Sequence, residues 1–309
     1  MQYDCIKIFF TGENIGPDWN IADYSIDFDC LNYGDRHLRT VLMNPLQMTF
    51  TKNMGTEDVK DKFCCIVVTN PGSPDRNPRE LFLDKLNSYK RVDSGGRWKN
   101  NIGGPIGDRY GDFQKSKIEW LKQYKFNMCF ENSSSPGYLT EKLFDAFEAG
   151  CIPIYWGDTS LRCGLGLKDG KFGEIDSRIP KIDESLIEFK INPKAFINAH
   201  NYETWDELLE EIKRIDNDDE AYKAMLAEPV FLGDFDFAEY DKRVERFLCS
   251  IFDQEPKLAS RVSKSSRIVK YANKRKHSIS IEHTRDLIYA FKILINDRIS
   301  KIRKHIYTK

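Results

Sequence analysis

Short apolar runs alternate with amphipathic stretches along most of the chain, which predicts strands followed by helices. Residues 63–68 and 126–130 are compact apolar runs closed by polar or Gly/Pro-containing segments, as buried strands are. Residues 79–89 and 140–149 have apolar positions at helical spacing, and Gly150 ends the second of these predicted helices. Strands that alternate with helices favour a parallel sheet covered on both faces, so the predicted fold class is α/β.

The same pattern predicts further elements before and after this region. Strands are expected at residues 5–10, 24–28, 38–43 and 152–156, and helices at residues 114–124, 205–215, 219–227 and 237–252. Parallel sheets bind ligands at the carboxyl ends of their strands. Polar residues that directly follow a predicted strand are therefore the first candidates for a functional site.

A basic amphipathic helix is predicted at the end of the chain, from residue 284 onwards. Residues 260–309 contain fourteen Lys or Arg and three acidic residues, a net charge of +11, whereas the rest of the chain carries −12. This asymmetry predicts an anionic partner for the tail, and the alternating apolar and basic positions suit a membrane interface. We expect a membrane surface and no nucleic acid as that partner. The alternative is a terminal helix that packs on the body or on another copy.

Composition narrows the class of protein. Apolar residues make up 40% of the chain and charged residues 31%, as in ordinary globular proteins. No run approaches the roughly 18 apolar residues that a membrane-spanning helix needs, and residues 1–7 do not resemble a signal peptide. The eight cysteines show no paired metal-ligand spacing. We expect a cytoplasmic protein that is peripheral on the inner face of the membrane.

The chemistry is concentrated in residues 125–158, which read as a strand, a polar loop, a helix and a second strand. Tyr138, Glu141 and Lys142 have the spacing i, i+3 and i+4, which places them on one face if the helix already includes Tyr138. A helix N-terminus attracts phosphate, Lys142 adds a full positive charge, and Glu141 can accept hydrogen bonds from ribose hydroxyls. These parts suit a nucleoside diphosphate. The alternative is a capped helix with an ordinary surface Glu–Lys pair.

Three stretches carry a family resemblance. Residues 126–132 read FNMCFEN, residues 137–142 read GYLTEK, and residues 152–157 read IPIYWG. They resemble the signature of the α-1,3/4-fucosyltransferases, in particular the bacterial members. Residues 10–14, which read FTGEN, resemble the acceptor-domain motif of that family. The likeness extends over roughly residues 8–250.

The resemblance implies a fold and a domain organisation. It implies the GT-B type of α/β fold, with two Rossmann-like domains. We expect a partial N-terminal acceptor-binding domain at residues 1–60, a GDP-fucose-binding domain at 61–255 and the basic tail at 256–309. The N-terminal domain is expected to be truncated, because the acceptor-domain motif starts at the tenth residue.

The resemblance also implies roles for individual residues. Glu13 is the expected general base that takes the proton from the acceptor hydroxyl; otherwise it is a turn residue after Gly12. The residues expected to bind GDP-fucose are Arg79, Asn132, Tyr138, Glu141 and Lys142.

Within this donor set, Glu141 is expected on the ribose and Lys142 on the diphosphate. Arg79 is expected as a second phosphate cation, with Arg76 as the competing candidate, because a guanidinium group can make a bidentate phosphate contact.

No metal or cofactor is expected to be required, since cations and a helix terminus can stabilise a departing diphosphate. Stimulation by a divalent cation stays open. The segment from Asp234 to Asp236 is similar to the DxD metal motif of other glycosyltransferases, but a helix N-cap is the favoured interpretation.

The function implied is inverting transfer of L-fucose from GDP-fucose to the 3-OH of GlcNAc. The expected acceptor is an N-acetyllactosamine-type glycan, Lewis-type or similar to a lipopolysaccharide O-antigen. One alternative is a GT-B enzyme with another nucleotide sugar donor. The other is a truncated, non-catalytic, membrane-associated binder of nucleotide sugars or glycans.

Overall fold

The structure is a computed structural model, and it describes residues 5–41, 59–72, 77–107, 113–161, 190–234 and 236–262. Contacts between residues divide the chain into two units. Unit 2, the larger, comprises residues 10–16 and 26–251, and unit 1 comprises residues 1–9, 17–25 and 252–309.

Three short strands near the start of the chain form a small sheet. They are β1 (Ile8–Phe10), β2 (Tyr24–Asp27) and β3 (His37–Arg39), in that order across the sheet. All four residues of β2 are buried. The predicted strands are confirmed, although β1 and β3 are shorter than the apolar pattern indicated.

A five-stranded parallel sheet forms the centre of unit 2. Its strands are β4 (Lys62–Ile66), β5 (Val92–Ser94), β6 (Tyr124–Phe130), β7 (Ile152–Trp156) and β9 (Ile197–Asn198). Their order is β5-β4-β6-β7-β9, and every neighbouring pair runs parallel. Two further short strands, β8 (Lys190–Ile191) and β10 (Phe231–Leu232), pair antiparallel. The predicted α/β fold class is confirmed.

Both faces of this sheet are buried. Phe126, Met128 and Phe130 of β6 belong to one hydrophobic cluster. Cys129 of the same strand and Tyr155 of β7 belong to the cluster on the other side. A strand that is covered on both faces needs apolar side chains in both directions, so β6 reads as a nearly continuous apolar run.

Several of the helices begin at a residue whose side chain caps them. They are α1 (Pro78–Tyr89), α2 (Phe113–Leu121), α3 (Glu141–Glu148), α4 (Trp205–Asp216), α5 (Asp219–Ala227), α6 (Phe237–Phe252) and α7 (Pro256–Ala259). The Asn77 side chain accepts a hydrogen bond from the Arg79 N–H at 3.0 Å, and Thr204 accepts one from Glu207 at 3.2 Å. Such side chains satisfy backbone N–H groups that have no partner within the helix.

The predicted end of one helix was wrong. The apolar spacing predicted a helix over residues 114–124, whereas α2 ends at Leu121 and Tyr124 begins β6. Tyr124 pairs with Lys62 of β4, and its hydroxyl donates to Asp93 of β5 at 3.0 Å. These contacts with two other strands fix Tyr124 in the sheet.

Several predictions fall outside the described residues. Arg76 and the tail from residue 263 onwards belong to this group, as do residues 42–58 around the predicted boundary between the first two domains. The division into residues 1–60, 61–255 and 256–309 therefore stays a prediction. Within the part of the chain that is described, no helix combines the length and the apolar character needed to cross a membrane.

Candidate active site

The carboxyl ends of β6 and β7 meet at one edge of the parallel sheet. β6 ends at Phe130 and β7 at Trp156, and the Glu131 N–H that follows β6 donates to the Trp156 carbonyl at 2.8 Å. This edge is where parallel sheets place ligands. The loop from Glu131 to Thr140 starts here and leads into α3.

Glu131, the first residue of this loop, is fully buried, with 0% of its surface exposed. Its Oε1 accepts from the Thr140 backbone N–H at 2.9 Å and from the Thr140 hydroxyl at 2.7 Å. Thr140 is the N-cap residue of α3, but its side chain makes no capping bond within the helix. The hydroxyl of the N-cap residue is thus turned towards Glu131.

Lys142 stands in the first turn of α3 and is surrounded by oxygen atoms. Its Nζ lies 3.0 Å from Glu131 Oε2, 3.0 Å from Thr140 Oγ1 and 3.4 Å from Glu141 Oε1. Burial opposes the charged form, but the Glu131 and Glu141 carboxylates outweigh it and raise the pKa of Lys142. Lys142 is therefore a fixed cation at the positive end of a helix.

Glu141 is the first residue of α3, and its side chain is 34% exposed. Burial favours the neutral carboxyl, but the ammonium groups of Lys142 and Lys117 outweigh it and lower the pKa of Glu141. An ionised carboxylate with two oxygen atoms can accept hydrogen bonds from a pair of hydroxyl groups. This is the chemistry expected for a ribose contact.

Tyr138 lies in the turn before α3, so the condition for a shared helical face, a helix that already includes Tyr138, is not met. It is 2% exposed, and its ring packs edge-on against Phe28 with centroids 4.9 Å apart. The preceding Gly137 has φ +90° and donates its N–H to Asp158 Oδ1 at 2.6 Å. The helical one-face arrangement of Tyr138, Glu141 and Lys142 therefore does not form, and the turn brings Tyr138 within electrostatic range of Glu141 instead.

Glu13 lies in a tight turn that fixes its backbone. Its N–H donates to Thr11 Oγ1 at 2.9 Å, and its carbonyl accepts from the Ile15 N–H at 2.8 Å. Its exposed carboxylate accepts a hydrogen bond from the Asn132 side-chain amide at 2.9 Å. The predicted general base and a predicted donor-binding residue are therefore direct neighbours.

A second set of contacts joins the same two loops. The Asn14 amide donates to Ser133 Oγ at 2.8 Å, and the Ser135 hydroxyl donates to Asn14 Oδ1 at 2.7 Å. Together with the bond between Asn132 and Glu13, these contacts hold the FTGEN turn against the loop after β6.

Arg79 lies under the site and is 2% exposed. Its Nε and Nη2 donate to the Phe130 carbonyl at 3.0 and 2.8 Å, and its Nη1 donates to the Asn70 carbonyl at 2.7 Å. Its guanidinium also interacts electrostatically with Glu131 and Glu13. In the structure Arg79 therefore binds two backbone carbonyl groups. Its contact with a phosphate stays a prediction.

All six predicted site residues fall in one region of unit 2. Arg79 and Tyr138 each interact electrostatically with Glu13 and Glu141, Lys142 adjoins Glu141, and Asn132 bonds to Glu13. The sequence prediction assigned no role to Glu131, or to His200, whose Nε2 lies 3.2 Å from the Gly157 N–H. Glu131 belongs to the FEN motif, which marked it without revealing its partners, and no sequence signal marked His200.

The segment that is similar to a DxD motif has a structural role. The Asp236 side chain accepts a hydrogen bond from the Glu239 N–H at 3.1 Å, in the first turn of α6. This is the N-cap contact that the sequence favoured. Within the described residues, no group of three or more His, Cys, Asp or Glu side chains is placed to hold a metal ion.

Comparison with known proteins places this arrangement in context. Residues 1–45 match the model of the alpha-(1,3)-fucosyltransferase FucT N-terminal domain, and residues 58–163 match that of the glycosyltransferase family 10 (fucosyltransferase) C-terminal region. The chain is similar to alpha-(1,3)-fucosyltransferase FucT of Helicobacter pylori, with 32% identity over 259 residues. That alignment covers 72% of this chain and 46% of the relative, so the chain spans less than half of the relative's length.

Solved structures show the same likeness. A crystal structure of an α1,3-fucosyltransferase with GDP-fucose superposes with a TM-score of 0.60 and 28% identity, covering 82% of this chain and 77% of that one. A structure with GDP also gives a TM-score of 0.60 and 28% identity, covering 83% and 76%. The predicted α/β fold of the GT-B type is confirmed by these matches.

Proposed function

Because residues 1–45 and 58–163 match models of the fucosyltransferases, we propose that the chain transfers L-fucose from GDP-fucose to a glycan hydroxyl. One observation carries the proposal. The Glu13 carboxylate lies 2.9 Å from the Asn132 amide, in the loop that leads to Glu141 and Lys142. The proposed base thus contacts the loop that leads into the helix end proposed to bind the nucleotide.

In this proposal the first turn of α3 binds the nucleotide part of the donor. Glu141 accepts hydrogen bonds from the ribose hydroxyls, and Lys142 binds the diphosphate. The raised pKa of Lys142 and the lowered pKa of Glu141 support these roles, because both groups are charged at neutral pH. Asn132 and Tyr138 complete the donor site, and Arg79 is the proposed second cation.

The transfer step is a single displacement with inversion at the fucose C1. The acceptor oxygen forms a bond to C1 while the bond from C1 to the β-phosphate oxygen breaks. Glu13 takes the proton of the acceptor hydroxyl, and GDP leaves with the bonding electron pair. Lys142 and the N-terminus of α3 stabilise the negative charge that develops on the leaving group.

The proposed acceptor is the 3-OH of GlcNAc in an N-acetyllactosamine-type glycan, of the Lewis or lipopolysaccharide type. Phe10 and Ile15 lie on either side of Glu13 in the sequence and are 67% and 61% exposed. Large apolar side chains beside a candidate base suit the apolar face of a sugar ring. We also propose that the protein is bacterial and cytoplasmic, and that its tail contacts the inner face of the membrane. This location fits the proposed acceptor.

The test measures GDP release from GDP-fucose by the full chain, with and without N-acetyllactosamine. We expect acceptor-dependent release that Glu13→Gln lowers by at least a hundredfold, because removing a general base costs about 10²–10⁴-fold. Glu220→Gln, at an exposed position of α5, is the matched control and should leave the rate unchanged. Addition of EDTA and then of Mg²⁺ or Mn²⁺ tests the proposed metal-independent chemistry.

Two outcomes would contradict the proposal. Binding of GDP-fucose without acceptor-dependent turnover would favour a non-catalytic binder. Faster turnover of UDP- or other GDP-linked sugars would indicate a different donor.

A further inference from the structure

We propose that Glu131 is a positioning residue of the donor site, which fixes the Lys142 ammonium group against the first turn of α3. This inference rests on the proposed function, since it assigns Lys142 to a diphosphate. It concerns a residue that does not itself reach the nucleotide.

Both carboxylate oxygens of Glu131 are engaged with the start of α3. Oε1 accepts from the N–H and the hydroxyl of Thr140, and Oε2 lies 2.9 Å from the same hydroxyl and 3.0 Å from Lys142 Nζ. The helix N-terminus and the cation next to it are thus bound by one side chain. Glu131 belongs to the loop after β6, so the sheet and the helix are joined at this point.

Hydrogen bonds also fix the backbone of Glu131 and of the residue before it. Two guanidinium nitrogens of Arg79 donate to the carbonyl of Phe130, the residue before Glu131. The Glu131 N–H itself donates to Trp156. The carboxylate therefore projects from a backbone that is fixed to both β7 and α1.

Space for the Glu131 side chain is created by Gly157. A Cβ atom on Gly157 would lie 2.4 Å from Glu131 Cγ and 3.0 Å from its Cβ, which is too close for any side chain. Burying a carboxylate is costly unless it is paired and hydrogen-bonded. Burial raises the pKa of the Glu131 carboxyl, whereas Lys142 and Thr140 stabilise its charged form. A carboxyl group buried at this cost, directly beside Lys142, is consistent with a function for the pair.

The three oxygen neighbours of Lys142 indicate how Glu131 holds the ammonium group. An ammonium group has three N–H donors, and Lys142 has three oxygen neighbours at 3.0, 3.0 and 3.4 Å. The longest contact is to Glu141, so a phosphate oxygen displaces that one most easily. Glu131 and Thr140 then keep the ammonium group in place while Glu141 turns to the ribose.

The experiment is a double-mutant cycle with the full chain, measuring the Kd for GDP by calorimetry. Glu131→Gln keeps the shape and removes the charge, and Lys142→Met keeps the stem and removes the ammonium. We expect Glu131→Gln to weaken GDP binding about tenfold in the wild-type background, the loss typical of one charge-assisted hydrogen bond. In the Lys142→Met background the same change should weaken binding less than twofold.

A purely structural role predicts a different result. If Glu131 only supported the fold, Glu131→Gln would weaken GDP binding equally in both backgrounds, and that outcome would overturn the inference. Glu119→Gln, at a 59% exposed side chain of α2, is the matched control and should not change the Kd. A wild-type chain without GDP affinity would instead refute the proposed function, and this inference with it.

Thermal unfolding tests the pair without ligand, and it applies even if Glu131→Gln alone does not fold. Lys142→Met leaves a buried carboxylate without its cation, whereas the double variant removes both charges. We therefore expect the double variant to melt at a higher temperature than Lys142→Met. A lower melting temperature would contradict direct pairing of Glu131 with Lys142.

Discussion

Gly137 and Gly103 have nearly the same φ, +90° and +92°, but different surroundings. A Cβ atom on Gly137 would lie 2.0 Å from the Phe28 carbonyl oxygen and 2.7 Å from Cys30 Sγ. A Cβ on Gly103 would have no neighbour within 4 Å. Gly103 thus serves only the turn, whereas Gly137 also allows two backbone segments to touch beside Tyr138.

This pair separates backbone strain from steric exclusion. We expect Gly103→Ala to lower the free energy of unfolding by about 1–2 kcal/mol, the cost of the left-handed conformation. Gly137→Ala should cost roughly 2 kcal/mol more, because the Phe28 segment must move away. Urea unfolding followed by circular dichroism measures both. Equal losses in the two variants would contradict the close contact at Gly137.

At the scale of single residues, the sequence predicted the site where the evidence was local. Glu141 and Lys142 are adjacent at a helix start, and Glu13 lies in a short motif, so spacing and resemblance sufficed to select residues that lie near one another. Their roles stay predictions. The partners of Glu131 could not be predicted, because Gly157 lies 26 positions further on and meets Glu131 only through the pairing of β6 with β7. The burial of Arg79 also depends on tertiary packing.

Among the elements, α4 is tied to α1 and β6 through one carboxylate. Asp216, at the last position of α4, has a side chain that is 2% exposed. It accepts from the Tyr89 hydroxyl at 2.9 Å and from Lys90 Nζ at 2.5 Å, and it pairs with Lys125 Nζ at 3.2 Å. Burial opposes ionisation, but these three donors outweigh it and lower the pKa of Asp216.

The lowered pKa predicts a loss of stability in acid. A carboxyl group whose pKa is lower in the folded than in the unfolded state stabilises the fold above its unfolded value, ordinarily 3.8, and this contribution is lost as the pH falls through the folded value. Asp216→Asn should therefore lower the free energy of unfolding by about 2 kcal/mol at pH 7. Urea unfolding at pH 7, 5 and 3 should show the same difference at pH 7 and 5 and a smaller one at pH 3, because the loss begins only below the unfolded value.

Asp219→Asn, at the exposed first position of α5, is the control for that measurement. It should leave the pH dependence of unfolding unchanged. A difference between Asp216→Asn and wild type that stays constant down to pH 3 would indicate that Asp216 acts through packing and not through its charge.

The elements themselves were largely predictable, because the long ones have clear periodicity. The helices α4, α5 and α6 begin and end within one residue of the predicted bounds. The errors occur where two patterns overlap, as at Tyr124, whose apolar ring suits both a helix end and a strand start. The strand β9 has two residues, too few for any period to appear.

For the whole molecule, the uneven charge distribution predicts salt-dependent binding to anionic membranes. Residues 260–309 carry a net charge of +11 against −12 for the remainder. We expect the full chain to sediment with phosphatidylglycerol vesicles at low salt, and to be released as salt rises, because ions screen the contact between surface charges. Phosphatidylcholine vesicles are the neutral control.

A variant with glutamine at Lys301, Arg303 and Lys304 identifies the segment responsible. Each basic side chain near an anionic surface contributes about 1 kcal/mol, so this variant should bind the vesicles roughly a hundredfold more weakly. Equal binding of both chains would favour the alternative, in which the terminal helix packs on the body or on another copy.

The close packing of Gly157 against Glu131 also limits how these two positions can change during evolution. While position 131 carries a Glu folded in this way, any side chain at position 157 collides with it, so the second position cannot change first. Loss of the Glu first would leave a cavity and remove the nearer of the two carboxylates that face Lys142. A Cβ atom on Gly157 would also lie 2.6 Å from the Tyr155 hydroxyl, so a change at position 157 requires accommodation by both neighbours, and relatives that keep Glu131 and Tyr155 should keep the glycine as well.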